Sequence, residues 1–155
     1  MSAKHTFIPS ALLLFYAFFL TSEVVQAQLL FEENFNYPDG AKLTDYSWSA
    51  HSGAGTNPVT VTSPGLTYTN YPSVSGNAAL LDKTGEDVNR NFAEQSSGVL
   101  YVSFLVNIGN MPASEYFLHL GPTNIGTTYI AKVWAKTDES GNIEFSITKK
   151  KQFAN

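Results

Sequence analysis

Two adjacent carboxylates in one short polar stretch are the residues best suited to chemistry. In TGEDVNRNF, residues 84–92, Glu86 and Asp87 come shortly before Arg90, although only 14% of the chain is charged. A glycosidase on a β-sandwich needs two carboxylates roughly 5–10 Å apart, and one strand supplies them from alternate positions. Adjacent residues on a strand point to opposite faces, so this pair does not fit. The same argument excludes the other adjacent acidic pairs, Glu32–Glu33 and Asp138–Glu139.

Two other interpretations of this stretch stay open. In the structural one, which we favour, Gly85 permits a turn and Asp87 or Asn89 caps exposed backbone amides. Arg90 then pairs with Glu86 or Asp87 and holds the loop beside the next strand. In the second interpretation, Glu86 and Asp87 bind Ca²⁺ together with backbone carbonyls. Such a site needs six to eight oxygens, of which this stretch supplies only part, and we predict no other cofactor.

Signatures of other enzyme classes are missing from the sequence. It contains no G-x-S-x-G elbow, no H-E-x-x-H zinc helix and no phosphate-binding loop, and it has no cysteine. His51 and His119 are the only histidines beyond the first few residues. His119 alternates with Phe117 on a predicted strand, where a packed or half-exposed histidine is the usual finding. We therefore predict that the protein is not an enzyme.

Sugar binding fits the residue supply better, because it needs an aromatic face for stacking beside groups that hydrogen-bond hydroxyls. The first candidate is Trp134. Period-two alternation along residues 128–136 predicts an apolar face and leaves Trp134 on the opposite face, between Lys132 and Lys136. The predicted apolar face consists of Tyr129, Ala131, Val133 and Ala135.

A second candidate sugar site lies on predicted loops. It combines the rings of Trp48, Tyr68 and Tyr71 with the amides of Asn70 and Asn77. The alternative for both candidates is a packing role, in which Trp48 anchors a core and Trp134 covers a neighbouring strand.

The N-terminal residues are typical of an export signal. Lys4 and His5 precede ten apolar residues at 11–20, and Val25-Gln26-Ala27 carries the small residues that signal peptidase accepts. Ten residues are about half of the ~20 needed to span a bilayer, so we predict cleavage rather than a retained anchor. Residues 1–27 are thus a predicted signal peptide, and residues 28–155 are predicted to form a single secreted or cell-surface domain.

The charge of the chain argues against a nucleic-acid partner. The net charge is −4, and Lys149–Lys151 is the one basic run in the sequence, so no nucleic-acid partner is expected.

Periodicity in the remaining chain is two, which is typical of strands. The clearest case runs from Leu100 to Ile108, where every second residue is apolar. Further strands are predicted at 29–35, 59–62, 77–82, 115–120, 128–136 and 142–149, the last two joined by TDESG. In 115–120, Tyr116, Leu118 and Leu120 should share one face. Pro- and Gly-rich turns separate these runs, so we predict an all-β, antiparallel β-sandwich.

Five segments together resemble a known family: FEENFNYPDGAKLTDYSWSAHSGAGTNPVTV, SPGLTYTNYPSVSGNAALL, GEDVNRNF, VLYVSFLVN and EYFLHLGP. They are similar to the N-terminal part of concanavalin A-like, laminin-G-like jelly-roll domains in secreted surface proteins of bacteria that use the type IX export route. The resemblance implies a jelly roll in which further strands follow the equivalent of residues 128–150. We therefore expect a sandwich that is incomplete at its C-terminus and belongs to a larger surface protein.

Three functions follow from these observations. The leading one is a secreted, non-catalytic module that binds carbohydrate, such as a cell-surface polysaccharide, or mediates surface adhesion. A ligand-free structural or spacer module is the main alternative, because a fold does not determine a function. A glycan-active hydrolase is the least favoured. The sequence indicates no oligomeric state.

Overall fold

The computed structural model describes residues 27–71, 75–109, 111, 113–126 and 128–149. Residues 1–26 of the predicted signal peptide, and Lys150 and Lys151 of the basic run, lie outside this range. The described residues form one 3₁₀ turn, Leu43–Asp45, and seven strands: β1 Ser49–Ser52, β2 Thr60–Thr62, β3 Ala78–Leu80, β4 Asp87–Asn89, β5 Glu115–Leu120, β6 Ala131–Thr137 and β7 Ile143–Lys149. No helix in this part of the chain has the length and apolar character needed to cross a bilayer.

The strands pair into three small antiparallel sheets, which confirms the all-β prediction. β1 pairs with β4, β2 pairs with β3, and β6 lies between β5 and β7. An isolated bridge between Lys42 and Thr60 adds the 3₁₀ turn to the edge of β2.

A compact apolar core lies between the 3₁₀ turn and β2. Leu43, Val59 and Val61 are buried there. The alternation in VTVT explains this placement, because it turns both valines to one face of the strand. The half-buried residues that pack against the three are Phe35, Tyr37, Ala41, Trp48, Ala79 and Val88.

The predicted C-terminal hairpin is confirmed. Asp138 organises its turn: the carboxylate accepts hydrogen bonds from the backbone N–H groups of Ser140 and Asn142, at 2.9 and 2.8 Å, and from the Asn142 amide. These bonds hold the pKa of the Asp138 carboxyl below its usual value. Gly141 supplies the positive φ of 85° that the turn requires.

The predicted strand Leu100–Ile108 is wrong. Residues 99–109 have no regular strand structure, and Val102, Phe104 and Val106 are exposed. Alternation shows which side chains share a face, but a strand also needs a neighbour that supplies backbone hydrogen bonds. None of the seven strands pairs with this segment. Its recorded contacts are made by side chains, for example between the rings of Phe104 and Phe117.

The predicted strand at 29–35 is also wrong, because local hydrogen bonds bend the chain there. Phe35 has a positive φ of 49°, its carbonyl accepts the N–H of Tyr37, and its own N–H donates to the Glu33 side chain. A backbone that satisfies itself in this way does not present the regular donors and acceptors of a strand. At 77–82, only Ala78–Leu80 pairs.

Two glycines allow the loop after β1 to touch the loop before β4. Gly53 has φ +59°, and a Cβ on it would overlap the Gly85 carbonyl oxygen. Gly55 also has a positive φ, +77°, but a Cβ there would meet no atom within 4 Å. Gly53 and Gly55 therefore both have a left-handed backbone, but only Gly53 lacks room for a side chain.

We predict that Gly53→Ala destabilises the protein more than Gly55→Ala. Each should lose about 1–2 kcal/mol because alanine disfavours a left-handed backbone, and Gly53→Ala should lose roughly 1–3 kcal/mol more because the backbones must separate. Urea unfolding followed by fluorescence measures both losses. Equal losses for the two variants would contradict the close approach of Gly53 and Gly85.

Candidate functional site

One face of the β5–β6–β7 sheet concentrates aromatic and polar side chains. Trp134 on the central strand lies opposite Tyr116 of β5 and Ser146 of β7, while Lys132 lies opposite His119 and Thr148. Residues directly opposite each other in a ladder share a face. We call the surface formed by Tyr116, Tyr129, Lys132 and Trp134 the Trp134 face.

A bulge in β5 brings Tyr116 and His119 to this face. The register shifts between Tyr116 and Leu118, so Phe117 is the extra residue. The expectation that Tyr116 shares a face with Leu118 is therefore wrong. Leu118 lies opposite Val133 on the other side of the sheet, where Phe117 contacts Phe145.

The prediction that placed Tyr129 on the apolar face is also wrong. β6 begins only at Ala131, so the alternation does not extend back to Tyr129. The Tyr129 ring lies 5.7 Å from that of Tyr116 and 4.1 Å from that of His119. The placement of Trp134 opposite the apolar side is confirmed, since Val133 and Phe145 line a different surface.

Lys132 occupies the centre of the Trp134 face. Its ammonium nitrogen lies 4.4 Å from the ring centre of Tyr116, 4.6 Å from that of Tyr129 and 5.3 Å from that of Trp134. These distances are within the range of cation–π attraction. The three rings thus surround one positive charge.

Hydroxyl groups border the Trp134 face along β7. The Trp134 indole Nε1 donates to Thr148 Oγ1 at 2.9 Å, and Ser146 and Thr148 are both exposed. Farther along the same side, Lys136 and Glu144 form an exposed ion pair at 2.9 Å. This strip carries the donors and acceptors that sequence reasoning did not identify.

His51 of β1 meets His119 at the edge of the Trp134 face. Their rings lie edge to face with centroids 5.3 Å apart, and the His51 ring lies 6.1 Å from that of Tyr129. Both ring nitrogens of His51 and Nδ1 of His119 are buried, and no group in the described part of the chain hydrogen-bonds to them. Sequence reasoning expected only a packed or half-exposed His119 and gave no sign of this pair, because the two residues are far apart in the chain.

Burial shifts the pKa values of two groups in this contact. It lowers the pKa of His119, an effect to which His51 and Lys132 add and which Asp87 opposes. It also raises the pKa of Tyr116 well above the ordinary value, reinforced by the nearby Asp87 carboxylate. Asp87 Oδ2 accepts the Tyr116 hydroxyl at 3.4 Å.

The opposite side of the sheet is an open apolar groove of about 520 Å³. Its lining residues are Phe104, Val106, Val133, Phe145, Ser146 and Ile147. Phe145 is 54% exposed, which makes it a convenient reference aromatic on the far side from Trp134.

The second predicted sugar site is not assembled as expected. Trp48 belongs to the core, where it stacks on Phe35 at 6.1 Å. Tyr68, Asn70 and Tyr71 share one turn, in which Tyr68 is 72% exposed and the Tyr71 hydroxyl bonds to Ser103. Asn77 instead donates to the Tyr37 carbonyl.

The stretch TGEDVNRNF has a structural role, but with other partners than predicted. Arg90 pairs with Glu33, not with Glu86 or Asp87, at 2.6 Å. Glu86 is 8% exposed and accepts the backbone N–H of Gly55 at 2.8 Å, which ties the β4 loop to the β1 loop. Within the described ranges, no three His, Cys, Asp or Glu side chains are grouped so that they could hold a metal ion.

The Glu33 carboxylate accepts four hydrogen bonds. Its oxygens accept the Phe35 N–H at 2.7 Å, the Tyr37 hydroxyl at 3.0 Å and the Trp48 indole at 3.2 Å, in addition to Arg90. One half-buried side chain therefore joins the N-terminal segment to the core and to the residue after β4. Hydrogen bonds to a charged group are stronger than neutral ones.

Comparison with known proteins finds no family model, curated protein or solved structure that matches this chain.

Glu33→Gln should lower the free energy of unfolding by roughly 2 kcal/mol, because the amide turns a donor toward Arg90 and removes the charge from the shared bonds. Denaturant unfolding at neutral pH measures the loss. The neighbouring Glu32→Gln is the control, since Glu32 bonds only to the exposed Asn34 amide among its recorded contacts, and it should change stability by less than about 0.5 kcal/mol. Similar effects of the two variants would show that Glu33 has no special role.

Proposed function

We propose that the protein is a secreted, non-catalytic module that binds carbohydrate or mediates surface adhesion, and that glycans bind at the Trp134 face. The observation that carries this proposal is the grouping of Trp134, Tyr116 and Tyr129 beside the exposed hydroxyls of β7. Apolar faces of sugar rings stack on aromatic rings, while their hydroxyls need neighbouring polar groups. Both requirements meet on one side of one sheet.

The position of this face on a sheet also supports the proposal. Trp134 lies on the central strand, so its backbone is held from both sides by β5 and β7. A binding residue on a rigid element loses less conformational freedom when it engages a ligand than one on a loop. Tyr68 and Asn70 sit on a turn without such support, which makes Trp134 the better candidate.

A jelly-roll domain of the concanavalin A-like type is the fold we propose for this module. Its support is the contact of two separate antiparallel sheets through His51 and His119, since the two layers of a sandwich meet through side chains in this way.

Export of the protein is supported by the apolar segment at 11–20 and by the processing pattern that ends at Ala27.

The specific alternative is a ligand-free spacer module. Lys132 already lies over the three rings, and the Trp134 indole N–H already donates to Thr148. The rings and the indole N–H therefore have partners within the protein itself. Glycan binding requires Lys132 to move aside or to contact the sugar, whereas a spacer requires neither.

Trp134→Ala should weaken glycan binding at least about tenfold, because stacking is lost. The probes are cellohexaose, xylohexaose, mannohexaose and laminarihexaose, with binding measured by calorimetry. Phe145→Ala, which removes an exposed aromatic from the opposite side of the same sheet, is the control and should bind normally.

Near-UV circular dichroism establishes that both variants are folded before binding is compared. Unchanged affinity of folded Trp134→Ala would contradict the assigned site. If none of the four hexasaccharides binds the unmodified protein, the spacer alternative is favoured instead.

A further inference from the structure

We propose that the contact between the β1–β4 sheet and the β5–β6–β7 sheet is acid-sensitive: protonation of the half-buried His119, which meets His51 across this contact, separates the two sheets and uncovers the Tyr116 and Tyr129 side of the Trp134 face. This inference does not depend on glycan binding. It rests on two imidazoles that meet across the sheets at a ring distance of 5.3 Å.

The first argument is the state of the ring nitrogens. Three of the four, both of His51 and Nδ1 of His119, are buried and make no hydrogen bond to any described residue. A neutral imidazole tolerates this at a moderate free-energy loss, but a charged one has two donors and needs solvation or partners. Protonation therefore favours an arrangement in which water reaches the rings.

The second argument is the set of charged and titratable groups that face His119. β1 contributes His51, β4 contributes Asp87, and the approach to β6 and its second residue contribute Tyr129 and Lys132. The Lys132 ammonium repels a positive charge on His119. Asp87 favours the charged form, but its carboxylate already accepts the Tyr116 hydroxyl.

The balance of these effects decides the direction of the pH dependence. Desolvation, His51 and Lys132 together outweigh Asp87 and a backbone hydrogen bond at Leu120, so the pKa of His119 is lower in the folded protein than its ordinary value of 6.5. The unfolded chain then binds more protons than the folded one as the pH falls below 6.5. Stability is fully present above this pH and decreases as the solution is acidified toward the folded-state pKa.

The third argument is that the contact joins elements with few other recorded links. Ring contacts of His51 with His119 and Tyr129, and the long Asp87–Tyr116 bond, connect the two sheets. Within the β5–β6–β7 sheet, by contrast, the ladder between β6 and β7 runs over seven residue pairs. Local opening at the weaker contact should precede loss of the ladder.

The test compares the full chain with His119→Gln, His51→Gln and the double variant between pH 7.5 and 5.0. Carboxylates with ordinary pKa values near 4 change little in this range. The unmodified protein should lose thermal stability on acidification, by about tenfold in the unfolding equilibrium constant for each pH unit between the folded and unfolded pKa values of His119. The double variant should show little change over the same range.

A second measurement separates sheet separation from general unfolding. In the unmodified protein, nuclear Overhauser contacts between His51 and Tyr129 should disappear at pH 5, while contacts between β6 and β7 persist. Persistence of the His51–Tyr129 contact at pH 5, or an unchanged pH dependence in a folded double variant, would overturn the proposal. If the variants do not fold, the contacts of the unmodified protein decide alone.

Discussion

The Glu33 carboxylate is the interaction on which the rest of the molecule depends. The segment around it is not a strand, so no ladder holds it in place; four donors from Phe35, Tyr37, Trp48 and Arg90 do so instead. Through Trp48 it joins the small core, and through Arg90 it reaches the end of β4. A core with three buried apolar residues supplies limited hydrophobic free energy, so a central charged carboxylate matters more here than in a larger core.

From this carboxylate the structure extends to the proposed binding surface in a chain of contacts. β4 pairs with β1, and β1 carries His51 to His119 and Tyr129 at the Trp134 face. Tyr116 and Tyr129 therefore belong to the Trp134 face and also contact the β1–β4 sheet. Acidification that separates the sheets should therefore also change the exposure of the Tyr116 and Tyr129 rings. Lys132 contacts both of these rings.

Local patterns in the sequence predicted the parts of the fold that depend on neighbours in the chain. VTVT predicted the core strand and TDESG predicted the hairpin turn. Alternation around Trp134 predicted the side of the sheet on which this residue lies. Features that depend on distant partners were missed: the pairing of Arg90 with Glu33, the bulge at Phe117 and the meeting of His51 with His119. The alternating run from Leu100 did not become a strand, because periodicity carries no information about a hydrogen-bonding partner.

The most direct test of the proposed site uses the two tryptophan side chains as internal reporters. In a ¹⁵N-labelled protein, the indole N–H signals of Trp134 and Trp48 report on the Trp134 face and on the Glu33 carboxylate respectively. During titration with the tightest-binding of the neutral hexasaccharides, we predict a saturable shift of the Trp134 signal and an unchanged Trp48 signal. A saturable shift of Trp48 alone, or saturation with neither signal moving, would contradict the proposed glycan site at the Trp134 face.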